Sequence, residues 1–231
     1  MNTFKQLSKG IVHLFFPNLC DGCRSPLLNS EEVICLNCET HLSRTNFHHI
    51  HSNETALRLS GRIPFEHATS LAYFTSDGLL QHLIHGLKYA DKKKNGIFLG
   101  KEIGNAIHKL NWDIDTIVPV PLHKRKQAKR GYNQSEIIAN GISEILKIQV
   151  ISNALIRTRN TETQTDKTRE QRIENVKDAF ELKRPELVKG KHLLIVDDVL
   201  TTGATLESCA LALLTINGVK VSIASAGLAI D

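Results

Sequence analysis

The chain has 231 residues, of which 41% are hydrophobic and 23% are charged, a balance typical of a globular protein with one full core and a small additional unit. Its 29 basic and 24 acidic residues leave a net charge of +5, which suits anionic ligands such as phosphates without requiring a polyanion as partner. No apolar run approaches the roughly 18 to 20 residues that span a bilayer, so the sequence predicts no membrane insertion.

The N-terminal segment predicts a helix, because Phe4, Leu7, Ile11 and Leu14 recur at helical spacing with lysines between them. It lacks the continuous apolar core and the small-residue cleavage site of a signal peptide. We therefore expect a cytoplasmic protein. Its residues 1–60 are expected to combine this helix with a metal-binding segment.

Four of the five cysteines form two matched pairs, Cys20-x2-Cys23 and Cys35-x2-Cys38. This spacing is typical of a tetrahedral zinc site with four thiolate ligands. The alternative is a pair of disulfides, which a reducing cytosol disfavours. Because the segment is too short to bury a core, the metal would supply much of its folding free energy and would be structural. Cys209, the fifth cysteine, is expected in the core.

Residues 61–231 alternate short apolar runs with helical patterns. Strands are predicted at residues 116–120, 154–156, 192–196 and 219–224, and helices at residues 79–89, 97–110, 135–146 and 204–216. This alternation predicts an α/β domain built on a mostly parallel sheet flanked by helices. Ligands of such sheets bind beyond the carboxyl ends of the strands.

Two adjacent carboxylates, Asp197 and Asp198, follow one of these predicted strands, and the chain then passes through Thr201-Thr202-Gly203 into a predicted helix. The free N–H groups and the dipole at the helix start form an anion site. Carboxylates suit hydroxyl groups or a metal, so a sugar phosphate would match both features. A bare calcium or magnesium site, or a helix cap, is the alternative. The glycine spacing matches neither a P-loop nor a dinucleotide fingerprint.

Four motifs carry a resemblance to a known family. The stretch I-V-D-D-V-L-T-T-G-A-T resembles the phosphoribosyl-pyrophosphate (PRPP) signature of type I phosphoribosyltransferases. With the segments Ile117–Gln134 and Arg157–Phe180 and the double CxxC, the chain resembles the ComF family, including its GntX-like members, over nearly its whole length. The resemblance implies a type I phosphoribosyltransferase-like domain, a zinc-ribbon-like N-terminal unit and a link to DNA uptake in natural transformation.

The same resemblance implies roles for individual residues. Asp197 and Asp198 would hold the ribose 2- and 3-hydroxyls. The 5-phosphate would meet the loop residues Thr201, Thr202, Gly203, Ala204 and Thr205. Pyrophosphate would meet the turn Val120-Pro121-Leu122 and the residues just beyond it, namely Lys124, Arg125, Arg130, Asn133 and Gln134. A basic face that only contacts solvent is the alternative for this run.

A further segment is similar to the mobile loop that closes over PRPP, with Gln164, Arg169, Arg172 and Asn175 as its candidate residues. Arg169 would help to exclude water from the closed site. For Arg172 a solvated surface helix is the alternative.

The resulting hypothesis is the transfer of phosphoribosyl from magnesium-bound PRPP to an acceptor, with release of pyrophosphate. The acceptor cannot be read from the motifs. Two alternatives stay open: PRPP binding without turnover, and handling of single-stranded DNA through the basic segment Lys124–Arg130 and the zinc unit, with DNA-uptake proteins as partners. The few aromatic residues weigh against strong autonomous DNA binding.

Overall fold

The structure, a computed structural model, describes residues 17–158 and 179–230. The contacts between Cα atoms divide the chain into two units, Met1–Leu42 and Ser43–Asp231. Residues 43–60 belong to the second unit, where Asn53 Nδ2 donates to the carbonyl oxygen of Ala68 at 2.8 Å.

The first unit holds the two CxxC turns. An isolated bridge between Leu19 and Pro26 closes the first turn, and the short helix α1, Leu36–Thr40, begins directly after Cys35 and carries Cys38. Apart from the cysteines, few of its residues are buried, as expected of a segment that depends on a metal for its stability.

The second unit is built on a parallel sheet. Its strands, in chain order, are β1 (Ala68–Phe74), β2 (Thr116–Pro119), β3 (Leu155–Arg157), β4 (Phe180–Leu182), β5 (His192–Leu200) and β6 (Lys220–Ala229). Four of them form one sheet in the order β1-β6-β5-β2, in which all neighbours are parallel. The apolar run of β5 is buried on both faces, as is typical of a sheet covered by helices. The predicted α/β class with a mostly parallel sheet is confirmed.

The helices of the second unit are α2 (Glu54–Leu57), α3 (Leu79–Tyr89), α4 (Lys93–His108), α5 (Lys124–Arg130), α6 (Gln134–Leu146) and α7 (Ala204–Leu214), with 3-10 turns at Phe47–His49 and Pro185–Leu187. Helix α3 has the bounds that its apolar spacing predicts. Helices α4, α6 and α7 also match predicted helices, with ends that differ by a few residues. Cys209 is fully buried in α7, as expected. No helix among the described residues is long and apolar enough to cross a membrane.

Helices α4 and α6 cross at glycines. A Cβ atom on Gly100 would lie 2.1 Å from the carbonyl oxygen of Ile138, and one on Gly141 would lie 2.4 Å from that of Ile97. Such distances are far below van der Waals contact, so the two backbones approach as closely as they do only because both positions lack a side chain. This crossing fixes the position of α6, whose first turn reaches the carboxyl edge of the sheet.

Three of the four predicted strands differ clearly from the structure, and the sequence patterns did not predict β1 or β4. Strand β6 runs to Ala229, five residues beyond the predicted 219–224. The run 154–156 becomes β3, which does not join the main sheet but pairs antiparallel with β4. Strand β5 continues past Val196 to Leu200, because β6 is long enough to pair with it up to the Leu200–Leu228 register. The acid pair is therefore inside a strand, whereas the sequence pattern places it just after the strand end.

Candidate functional site

The acid pair lies near the carboxyl end of β5 and is buried, with Asp197 8% and Asp198 6% exposed. Asp197 Oδ1 accepts hydrogen bonds from Ser135 Oγ at 2.9 Å and from the backbone N–H of Asp198 at 2.8 Å. Asp198 Oδ1 accepts from the N–H of Val199 at 2.7 Å, and its Oδ2 lies 2.7 Å from Lys88 Nζ. Ser135 lies in the first turn of α6 and Lys88 in the last turn of α3, so two helices position the pair.

Burial sets the electrostatics of this site. Burial and, after it, the neighbouring Asp198 carboxylate raise the pKa of Asp197 to about 7, against the hydrogen bonds and the Lys88 charge that lower it. Burial alone would lower the pKa of Lys88, but the Asp198 carboxylate outweighs it and raises that pKa above its usual value. Burial lowers the pKa of Arg157, while the Asp197 carboxylate opposes that shift. Lys88 is the cation in direct contact with the acid pair.

The phosphate-type loop, residues Thr201–Thr205, follows β5 directly. Gly203 has φ +80°, a left-handed conformation that favours glycine, and its carbonyl oxygen accepts from the N–H of Glu207 at 2.9 Å to begin α7. A Cβ atom on Gly203 would lie 3.0 Å from Leu59 Cδ2, which leaves little room for a side chain. Thr201 is exposed, and Thr202 and Thr205 are partly exposed, so the hydroxyl side of the loop is accessible from solvent. The loop thus combines a helix start, whose first N–H groups have no partner within the helix, with a tight turn that a glycine makes possible.

The turn after β2 reaches the same edge of the sheet. The N–H of Val120 donates to the carbonyl oxygen of Val196 at 2.9 Å, so this turn is the direct neighbour of the acid pair. Asn133 Nδ2 donates to the carbonyl oxygen of Val120 at 2.9 Å, which ties the start of α6 to the turn. Pro121 is buried and Leu122 partly buried.

The basic segment forms helix α5, which the apolar spacing did not predict because none of its residues is buried. Arg125 is exposed on this helix. At its end the guanidinium of Arg130 donates to Gln134 Oε1 and lies 5.7 Å from the ring centroid of Tyr89. The end of this basic helix therefore packs against the last residue of α3.

Several predicted residues come together at this edge, and others cannot be placed. The acid pair, the 201–205 loop, the Val120–Leu122 turn, Asn133 and Gln134 are contributed by neighbouring strands and by the start of α6. Arg169, together with Gln164, Arg172 and Asn175, lies outside the described residues. Sequence reasoning missed Lys88, Ser135 and Arg157, because each lies in an element whose apolar pattern gives no sign of a polar role.

The four CxxC cysteines form a compact cluster, with all four sulfur atoms within 4.8 Å of one another. None of the described cysteines forms a disulfide. Burial alone would raise the pKa of Cys20, but backbone N–H groups of Cys23, Cys35 and Gly22 donate to its sulfur and lower that pKa below its usual value. Four cysteine sulfur atoms at this separation can hold a metal ion such as zinc.

Comparisons with known proteins identify relatives of this chain. The family model described as "Phosphoribosyl transferase domain" matches residues 101–229. The DNA utilization protein YhgH of Escherichia coli K12 is 33% identical over 223 residues, which cover 91% of this chain and 96% of that protein. Competence protein F of Haemophilus influenzae is 36% identical over 40% of this chain and 41% of its own length, and Competence protein ComFC of Bacillus subtilis is 32% identical over 47% and 42%.

Among solved structures, an adenine phosphoribosyltransferase from Thermoanaerobacter pseudethanolicus is 14% identical, covers 60% of this chain and 83% of its own, and aligns with a TM-score of 0.39. The motifs of the sequence, the parallel sheet with its buried acid pair, and the full-length match to YhgH agree with one another. The chain therefore belongs to the phosphoribosyl transferase domain family and, within it, to the ComF family.

Proposed function

We propose that this protein binds PRPP and transfers its phosphoribosyl group to an acceptor with release of pyrophosphate. The observation that carries the proposal is the buried Asp197–Asp198 pair, which lies on one sheet edge with a helix-start loop on one side and the Val120 turn on the other. Carboxylates for hydroxyl groups and N–H groups for phosphate are the two kinds of contact that a ribose phosphate needs.

Each part of the site has a proposed role. The acid pair holds the ribose 2- and 3-hydroxyls, the 201–205 loop holds the 5-phosphate, and the turn Val120-Pro121-Leu122 receives pyrophosphate. Arg125, Arg130 and Gln134 add positive charge and hydrogen bonds near the leaving group. Arg169 belongs to a lid that excludes water, and its segment lies outside the described residues.

The donor set fits a magnesium-bound ligand, because carboxylate oxygens are the ligand type that Mg²⁺ prefers. Bound together with PRPP, the ion supplies charge that neutralises the departing pyrophosphate. The chain contributes the orientation. Ser135 and the backbone hold Asp197 in place, and Lys88 holds Asp198, so the carboxylates do not need to reorganise as charge develops on the ribose.

Calorimetric titration with PRPP, in the presence and absence of Mg²⁺, tests the binding. Pyrophosphate release that depends on a second substrate tests the transfer. Magnesium-dependent PRPP binding without any release across a panel of nucleobases, amines and other small nucleophiles would support the second candidate, a PRPP-binding protein without turnover. No PRPP binding at all would overturn both.

The first unit is proposed to hold one structural zinc ion between Cys20, Cys23, Cys35 and Cys38. The support is the cluster of four sulfur atoms, which lie within 4.8 Å of one another, since four thiolates around one ion are a typical structural zinc site. All four ligands come from the protein, which leaves no open position for a substrate.

The Cys35→Ser variant is expected to lose most of its zinc, because a hydroxyl replaces one of four matched thiolates and hydroxyls are poor zinc ligands. Elemental analysis of the purified protein measures this directly. Cys209→Ala is the matched control, since that cysteine is buried in α7 and takes no part in the cluster, and it should keep one zinc per chain. Near-stoichiometric zinc in Cys35→Ser would contradict the four-thiolate site.

Handling of single-stranded DNA is a second candidate role, suggested by the names of the relatives and supported by one surface feature. Tyr89 is 70% exposed and is flanked by the guanidinium of Arg130 and the ring of His85, whose centroid lies 4.6 Å from its own. Helix α5 provides further lysines and arginines next to this ring. An exposed aromatic ring beside a basic helix is the combination with which proteins bind single strands by stacking and charge.

If this surface binds DNA, the affinity for a single-stranded oligonucleotide should fall steeply with salt, and Tyr89→Ala should weaken binding by about 1–3 kcal/mol through lost stacking. Tyr89→Phe keeps the ring and is the matched control, with expected binding close to the wild type. Fluorescence titrations at two salt concentrations, with and without saturating PRPP, measure these effects. Binding that barely depends on salt and is equal in both variants would exclude this surface.

A further inference from the structure

The phosphate-type loop is contacted from outside by the turn that follows α2. Arg58 Nη1 donates to the carbonyl oxygen of Thr201 at 2.6 Å, and Arg62 Nη1 donates to that of Thr202 at 2.7 Å. The same Arg62 nitrogen also donates to the carbonyl oxygen of Arg58 at 2.9 Å, which links the two arginines. Two consecutive carbonyl groups of the loop are thus each held by a guanidinium from a segment about 140 residues earlier in the chain.

The direction of these carbonyls decides the direction of the neighbouring N–H groups. In a trans peptide, the C=O of one residue and the N–H of the next point in opposite directions. Since the oxygens of Thr201 and Thr202 point at the arginines, the N–H groups of Thr202 and Gly203 point away from them, toward the opposite side of the loop. That arrangement presents two adjacent N–H groups together with the start of α7, as an anion site requires.

The arginines are not placed to bind an anion with their own charge. Arg58 forms an ion pair with Glu54 at 2.7 Å, and Arg62 forms one with Glu207, which lies in the first turn of α7. Each guanidinium therefore has its own carboxylate, and the group of four side chains is neutral overall. Its contribution is geometric, because it fixes two peptide planes and the first turn of α7 at the same time.

We propose that Arg58 and Arg62 are positioning residues, which hold the Thr201–Gly203 turn in the conformation that binds the 5-phosphate of a ribose phosphate. This inference rests on the proposed PRPP function. It adds that the conformation of the phosphate loop is set from outside the signature, by residues 58 and 62.

The test compares three ligands that share parts of PRPP: ribose 5-phosphate, pyrophosphate and PRPP itself. In Arg62→Met the affinity for ribose 5-phosphate and for PRPP should fall about tenfold, since loss of a charged hydrogen bond frees the loop. Affinity for pyrophosphate should stay unchanged, because the Val120 turn does not contact Arg62. A purely structural role would weaken all three ligands together.

Three further variants complete the experiment. Arg62→Lys should lose less affinity than Arg62→Met, because a lysine keeps the charge beside Glu207. It should still lose some, because a lysine cannot reproduce the planar guanidinium that donates to the carbonyl oxygens of Thr202 and Arg58. Arg58→Met removes the contact with the carbonyl oxygen of Thr201. The carboxylate that it leaves unpaired, Glu54, is 42% exposed and can be solvated, so this variant replaces Arg62→Met if the latter is too unstable for binding studies. Arg44→Met is the matched control, because Arg44 pairs with Glu102 in a different part of the second unit.

The outcomes separate the two ideas. If the wild type binds ribose 5-phosphate and neither Arg62→Met nor Arg58→Met changes the affinity, this inference is overturned and the proposed function stands. Equal losses for ribose 5-phosphate and pyrophosphate in a folded variant also overturn it. Failure of the wild type to bind any of the three ligands overturns the proposed function, and this inference with it.

Discussion

Replacing Asp197 and Asp198 together by asparagine is expected to weaken magnesium-dependent PRPP binding on the order of a hundredfold. Asparagine keeps the volume of each side chain and can still accept the hydrogen bonds from Ser135 and from the backbone N–H groups. It lacks the negative charge that the proposed role at the ribose requires. If the acid pair only caps backbone groups, the same change should cost little affinity.

The ion pair with Lys88 makes the stability of this variant part of the experiment. Asp198→Asn leaves the partly buried Lys88 ammonium without its carboxylate, which costs about 2 kcal/mol of folding free energy. The single Asp197→Asn variant avoids this loss, because it keeps the Asp198–Lys88 pair. It should still bind PRPP clearly more weakly than the wild type.

Calorimetric titration of both variants with PRPP and Mg²⁺, alongside thermal melts and zinc analysis, measures these effects. The zinc content should be that of the wild type, because the cysteine cluster lies in the other unit. A folded double variant with unchanged PRPP affinity would contradict the assignment of the acid pair to the ribose site.

Asp197→Asn is also expected to stabilise the free protein at neutral pH. Burial and the Asp198 carboxylate raise the pKa of Asp197 to about 7, well above its value of about 4 in an unfolded chain. The folded state therefore binds a proton that the unfolded state releases between these two pH values. The stability that this proton provides is complete below about pH 4 and is lost as the pH rises toward 7.

An asparagine at this position does not titrate, so the variant escapes the loss. The difference in free energy of unfolding, variant minus wild type, should increase by roughly 2–4 kcal/mol between about pH 4 and pH 7.5 and then level off. Urea denaturation of the ligand-free proteins across this range measures it. Glu181→Gln, at an exposed carboxylate of β4, controls for the general effect of removing a negative charge. A difference that stays constant with pH would show that Asp197 is not held in a raised-pKa environment.

Local patterns predicted the four long helices and four of the six strands of the second unit, because burial repeats at a regular spacing in these segments. The buried residues of helix α3 recur every three or four positions, and the predicted bounds of this helix coincide with those of the structure. The acid pair and its loop were predicted from a strand, two acids, a turn and a helix start in direct succession. The position of that motif at the carboxyl edge follows from the parallel sheet itself.

The partners of the motif could not be predicted in the same way, because they are distant in the chain. Lys88 and Ser135 reach the acids only through the packing of α3 and α6. Arg58 and Arg62 reach the loop from a four-residue helix and the turn after it. The length of β5 was underestimated for a related reason. The end of β5 depends on how far β6 extends beside it. The sequence does not show this, because two charged residues follow the apolar run and suggest that the strand ends there.

The crossing of α4 and α6 restricts which sequences this fold can tolerate. At Gly100 and Gly141 the nearest obstacles are backbone atoms of the opposite helix, which cannot rotate away as a side chain can. Even alanine would push the helices apart, and α6 would carry Ser135 and Asn133 away from the carboxyl edge. By contrast, nothing within 4 Å would meet a side chain at Gly131 or Gly190, where the positive φ is the only restriction. A substitution at either crossing glycine would therefore act on the site through the position of α6. It would appear as a loss of ligand affinity although no residue of the site itself had been replaced.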